Sequence, residues 1–218
     1  ATWSEKNGQD DLRWYQGSKK TTGEWTTTVD IRDHKTDGVY ISDVYVTLAD
    51  GTMICAGRTS FEVSKPTLSV TTGNYKKDEG TFDVIITNVQ SGSEVTGISV
   101  PVWCAADQSD ICWYAAEKQA DGSYKATVRM SNHKYAKGTY TIHTYIYTAN
   151  GLQTFGGNTS QNVEMPTMGL SATDINGKEE KYQLEITNIE MLGLVKNVQF
   201  ATWSEKNGQD DLRWYQGS

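Results

Sequence analysis

Positive charge is in short supply in this chain: 20 Lys and Arg stand against 27 Asp and Glu, a net charge of −7, with only three His. An acidic surface repels phosphate backbones and anionic bilayers, so nucleic acid and charged membranes are poor partners and neutral or cationic ones fit better. No apolar run approaches the ~20 residues of a membrane span. Ala1 opens on polar repeat sequence rather than on a charged-then-apolar leader, and the stretch reads as a window on something longer. With three Pro, 20 Gly, 12 Tyr and 7 Trp, the composition describes an all-β surface protein better than an α/β enzyme.

Cysteine is equally sparse. Cys55, Cys104 and Cys112 do not make a disulfide framework, because other copies of the surrounding motif carry Ser4 and Arg13 where Cys104 and Cys112 stand. A Cys104–Cys112 bridge would close a short hairpin in an oxidising compartment, whereas strand alternation puts the two on opposite faces. Bridge and free thiols both stay open, and Cys55 is left unpaired. No CxxC pair or His-containing spacing suits a metal, and no cofactor is expected.

What is present is repetition. Ala1–Ser18, ATWSEKNGQDDLRWYQGS, returns letter for letter as Ala201–Ser218 and in altered form as Pro101–Ala116, PVWCAADQSDICWYAA. A period of about 100 residues is far above solenoid units and suits a tandem of whole domains. Pro66-Thr67 aligns with Pro166-Thr167, Thr87-Asn88-Val89 with Thr187-Asn188-Ile189, and Asp50-Gly51 with Asn150-Gly151. Residues 66–165 then form one complete repeat, 1–65 the later part of a preceding one and 166–218 the opening part of a following one. The two partial repeats are expected to complement each other between neighbouring copies in a head-to-tail contact, or to be a window on a longer array.

Within 66–165 short strands alternate with turn signals, and no stretch shows sustained helical periodicity. The strands are expected at Thr67–Thr71, at Gly80–Asn88 with Phe82, Val84 and Ile86 on one face, and around Ile98, Val100 and Val102. Further strands are expected around Ile111 and Trp113, around Tyr124, Ala126 and Val128, at Thr139–Thr148, and from Gly151 to Phe155 after an Asn-Gly hairpin. Seven strands in a hundred residues predict tandem immunoglobulin-like β-sandwiches.

The ordered series GTFDVIITN, ISVPVW, DICWY, DGSYKATV, SNHK and GTYTIHTYIYTANG resembles the group B streptococcal secreted-protein-like (Bsp-like) repeat of Gram-positive cell-surface proteins and cell-wall hydrolases. The first segment carries the same skeleton as WSEKNGQDDLRWY, TGEWTTTV, RDHK and GVYISDVYV. The resemblance implies a non-catalytic, immunoglobulin-like accessory module, secreted or attached to the cell wall.

The residues agree with a lack of catalysis. His34 and His133 share one repeat position after a strand, where an imidazole ties down a turn with the neighbouring Asp33 or Asn132, and His143 is replaced by Asp43 in the other copy. Asp10, Asp11 and Glu5 lie in one loop, which suits neither a glycosidase pair nor a calcium site. Alternation sends Trp14, Trp113 and Trp214 inward as core tryptophans. Trp3, Trp103, Trp203, Tyr15, Tyr114, Tyr215, Tyr45, Tyr145 and Tyr147 are expected to face out as an aromatic stripe, the candidate ligand-binding surface. The expected function is binding of cell-wall polysaccharide or peptidoglycan together with spacing; the alternative is a host protein such as an immunoglobulin, gripped by repeated units.

Overall fold

The computed structural model describes residues 1–164, 167–176, 180–190 and 192–217. In chain order the first segment holds β1 (Thr2–Ser4), β2 (Ser18–Lys19), β3 (Trp25–Thr26), β4 (Gly38–Thr47) and β5 (Met53–Val63). The middle segment holds β6 (Thr67–Lys76), β7 (Thr81–Gln90), β8 (Val95–Trp103), β9 (Cys112–Ala115), β10 (Glu117–Lys118), β11 (Tyr124–Arg129), β12 (Gly138–Thr148) and β13 (Gln153–Val163). The last holds β14 (Gly169–Asn176), β15 (Lys181–Thr187), β16 (Gln199–Thr202) and β17 (Arg213–Gln216). The helical pieces described are short 3-10 turns, so the all-β expectation holds.

In the middle segment two four-stranded antiparallel sheets, ordered β10-β11-β7-β6 and β13-β12-β8-β9, close over one core. Period-two alternation places the core. Phe82, Val84 and Ile86 of β7 and Tyr124, Ala126 and Val128 of β11 face Ile98, Val100 and Val102 of β8 and Tyr140 and Ile142 of β12. Removing each large apolar side chain from water stabilises the unit by about 1.5–3 kcal/mol. Phe82 meets Tyr140 edge to face, with ring centroids 5.7 Å apart. One edge is sealed without a hydrogen-bonded ladder. A bulge between Thr144 and Tyr145 leaves Gly156 as the extra residue of β13, and a Cβ there would lie 2.7 Å from Leu68 Cδ2 on β6.

Flanking elements repeat parts of this plan. In the first segment β1-β4-β5 match the β8-β12-β13 ladder and β2-β3 make a separate hairpin; in the last, β14 pairs with β15 and β16 with β17. The strand pairs described all lie within one segment.

The first and middle segments meet at a tight joint. Gly92 N–H donates to Ser64 O at 3.0 Å, and a Cβ on Gly92 would stand 2.5 Å from Ser64 N, so only glycine allows that approach. Asn150, 1% exposed at the β12–β13 hairpin tip, accepts from Thr148 Oγ1 at 2.6 Å and donates from Nδ2 to Thr36 O at 2.8 Å. The Lys35 stem lies against Gly151.

Two expectations about the fourth strand are corrected. The ladder sets Val100 opposite Tyr114 and Pro101 opposite Trp113. Directly opposed residues share a face, so Tyr114 turns inward with Val100, and Trp113 turns outward over Pro101 and is 55% exposed. Trp14 and Trp214 are likewise exposed, at 62% and 64%, so none of these three tryptophans is a core residue. The same register pairs Val102 with Cys112 and makes Cys104 its diagonal neighbour on the inner face. Diagonal Cα atoms lie about 7–8 Å apart, beyond disulfide reach without backbone movement. All three cysteines are free thiols: Cys104 Sγ donates to Lys137 O, and Cys112 Sγ accepts from Asn132 Nδ2.

Candidate functional site

The outer face of the β13-β12-β8-β9 sheet carries a continuous row of rings. Tyr145 on β12 is the cross-strand partner of Phe155 on β13, with ring centroids 5.7 Å apart, and Trp113 reaches it from β9 at 5.9 Å. His143 stands edge-on to Phe155 at 5.2 Å and to Trp103 at 4.7 Å, which carries the row back to β8. Phe155 is 49% exposed; Trp103, His143 and Tyr145 are half-buried beside their neighbours. Tyr147 lies in the same row on β12, and its hydroxyl accepts from Ser99 Oγ at 3.3 Å.

Pairing across strands, rather than alternation along one, assembles this patch. Trp103, Tyr145 and Tyr147 were legible as outward-facing; Trp113, Phe155 and His143 were missed. Trp113 had been placed by counting along a single strand, and Phe155 becomes a member only through its pairing with Tyr145.

The first segment holds a shorter version. Trp14 and Tyr45 sit 5.2 Å apart and both are exposed. Trp3 is on the outer side as expected but is only 6% exposed, with the Arg58 guanidinium 5.3 Å above its ring. In the last segment Trp203 is exposed. Tyr215 is also exposed, but it pairs with Phe200 and lines a cavity of about 810 Å³ between β15, β16 and β17 instead of the outer face.

Tyr15 and Tyr114, expected on the surface, instead point to the buried histidines. His133 is 1% exposed. Its Nδ1 lies 3.3 Å from Asp110 Oδ2 and its Nε2 lies 3.1 Å from Tyr114 Oη. A carboxylate only accepts, so Nδ1 donates to Asp110, and Nε2 shares a hydrogen bond with the Tyr114 hydroxyl. Asp110 in turn accepts from the N–H groups of Cys104 and Ala105 at 2.9–3.1 Å, fixing the loop before β9. Burial opposes ionisation of Asp110, but these donors and His133 outweigh it and hold its carboxyl below the usual range. The first segment repeats the arrangement, with His34 Nδ1 donating to Asp11 O at 3.1 Å and Nε2 lying 3.0 Å from Tyr15 Oη. Asp11 accepts from Ser4 N and Ser4 Oγ. Burial pushes the hydroxyls of Tyr15 and Tyr114 up to about 12. These imidazoles do secure a turn, but through the Asp loop and the Tyr strand. Asn132 and Asp33, their chain neighbours, bond the Tyr hydroxyl instead. Both imidazoles are sealed from solvent within this network.

Repeated antiparallel sheet units with an outer row of aromatic rings and a buried histidine network define an all-β repeat module. The sequence profile of the GBS Bsp-like repeat matches residues 1–61, 71–161 and 171–218, and the chain belongs to that family, a non-catalytic module type found in surface proteins. A search of the curated proteins finds no match. Among solved structures, a polysaccharide deacetylase from Bacillus cereus is similar at 9% identity and a TM-score of 0.40. That likeness covers 46% of this chain and 31% of the deacetylase chain, which is too remote to support a shared fold or activity. Among the described residues no helix is long and apolar enough to cross a membrane.

Proposed function

We propose that the chain is a non-catalytic binding and spacing element of a secreted or wall-attached protein, and that the outer face of its middle sandwich stacks on the sugar rings of cell-wall polysaccharide or peptidoglycan. The observation that carries this is the five-ring row Trp103–His143–Phe155–Tyr145–Trp113, exposed at Phe155 and Trp113 and half-buried at the other three. Cosedimentation with purified peptidoglycan sacculi tests it. Trp113→Ala with Phe155→Ala should weaken binding at least about tenfold, the loss of two central anchors, with the unfolding midpoint nearly unchanged.

A second reading follows from the shape of the face. The row spans an open four-stranded sheet while the 810 Å³ cavity lies elsewhere, and flat Trp- and Tyr-rich surfaces also anchor protein interfaces. A host protein such as an immunoglobulin is therefore the competing ligand. Purified immunoglobulin in place of sacculi, with the same two substitutions, decides between them.

A further inference from the structure

Among the places where the outer faces of the first and middle segments differ, such as Ile41 against Thr141 and Thr47 against Tyr147, three bear directly on the row of rings. Asp43 pairs across β4 and β5 with Arg58, as His143 pairs across β12 and β13 with Asn158. Tyr45 pairs with Cys55, as Tyr145 pairs with Phe155. The consequences are opposite. Arg58 donates to Asp43 from Nε at 2.6 Å and from its terminal nitrogen at 3.0 Å, a two-pronged hold that fixes the guanidinium over Trp3. Trp3 is thereby covered, and the row in this segment stops at Trp14 and Tyr45. In the middle segment His143 and Phe155 replace the ion pair and the thiol with two rings, which join Trp103 to Tyr145.

We propose that these three positions decide whether a repeat presents an open aromatic platform: Asp43, Cys55 and Arg58 close it in the first segment, and His143, Phe155 and Asn158 open it in the middle one. This rests on the outer face being the binding surface. A ring that stacked on Trp3 would have to displace the guanidinium and leave Asp43 without its partner, a penalty with no counterpart at His143. Binding strength along the chain then differs between segments instead of being uniform, and the discriminating residues lie on the two strands that carry none of the motif tryptophans.

Two measurements on the full chain test this. The first needs no ligand: oxidative labelling followed by tryptic mass mapping, in which Trp3 falls in the N-terminal peptide and Trp203 in a different one. Trp3 should label several-fold more slowly than Trp103 in the parent and approach the Trp103 rate in Arg58→Asn. Equal rates in the parent, or no change in the variant, overturn the closure. The second starts from the chain carrying Trp113→Ala and Phe155→Ala and adds Asp43→His, Cys55→Phe and Arg58→Asn. Cosedimentation with sacculi should be regained by at least about tenfold, the size of the loss expected for the middle face. If the parent sediments and the opened variant, folded by circular dichroism, does not regain binding, the three positions do not control the platform. Failure of the parent itself to sediment overturns the glycan reading, and the labelling result still decides whether Arg58 covers Trp3.

Discussion

Tyr114→Phe removes one oxygen and leaves the ring packed against the core, so it isolates the Asp110–His133–Tyr114 chain from hydrophobic burial. The His133 side chain is fully shielded from solvent. Because Nδ1 is committed to the Asp110 carboxylate, loss of the Tyr114 hydroxyl leaves Nε2 buried without the partner it has there. An unsatisfied buried polar atom costs about 1–3 kcal/mol. For a unit of about 100 residues that lowers the unfolding midpoint by about 4–8 °C per kcal/mol. Asn132 Nδ2 already donates to the same hydroxyl at 3.1 Å and is a ready substitute donor. Adding Asn132→Ala should therefore move the loss towards the upper end.

Trp113→Ala is the matched control. Its indole is 55% exposed and its main partner is Tyr145, so removal should cost about 0.2–1 kcal/mol, the worth of a cross-strand pair. Urea and thermal unfolding followed by circular dichroism read both variants. A loss of about 3–5 kcal/mol for Trp113→Ala, the size of an aromatic core truncation, with little effect of Tyr114→Phe, would show that β9 is slipped by one residue and would reverse every side-chain assignment on it.

Two other perturbations follow from the same geometry. Asn150→Ala removes one of the two donors to Thr36 O, the Tyr40 hydroxyl at 2.9 Å being the other, and should cost about 0.5–1.5 kcal/mol locally; amide exchange should quicken around Thr36 and Gly151 while β7 and β12 stay protected, and uniform protection would refute a joint held by Asn150. Asp110, whose carboxyl sits below its ordinary range when folded, contributes stability in full above the unfolded value of about 3.9 and loses it as pH falls through the folded value. Unfolding measured from neutral pH down to below pH ~4 should therefore show acid destabilisation that Asp110→Asn reduces, at the expense of stability near pH 7; an identical acid slope in the variant would remove Asp110 as a source.

The parts of the fold that were legible in the sequence are those in which one face is apolar and the other is not. Phe82, Val84 and Ile86 share one face of their strand, as Tyr140, Ile142 and Ile146 share one face of theirs, and all six are buried. β9 is short and amphipathic on both faces, with Ile111 and Trp113 on one side and Cys112 and Tyr114 on the other, so residue counting selected the larger apolar pair. Two partners far along the chain decide otherwise. Pro101 gives Trp113 a surface to lie on, and the Tyr114 hydroxyl pairs with His133 Nε2 on the inner side. The joint was invisible for a similar reason: Asn150 is a good hairpin residue in its own right, and its bond to Thr36 spans 114 positions. Local pattern assigns residues to strands, while pairing across strands assigns them to faces, and the candidate site depends on the second.

The hairpin tip and the outer face vary together, and chemistry links the two differences to the geometry of binding. Asn150 holds the middle segment to the first by donating an amide hydrogen to a backbone carbonyl. The first segment has Asp50 at that position, whose carboxylate accepts from Thr52 N–H at 2.9 Å and has no hydrogen to give. A hairpin carrying Asp50 cannot make the bond that Asn150 makes, and a joint built on it would lack that hydrogen bond. Simultaneous engagement of neighbouring faces multiplies affinity only when their spacing is held near that of the ligand. The segment whose aromatic row is complete is also the one whose hairpin is bonded to its neighbour, so under the proposed binding role the fullest face is also the one whose orientation is held.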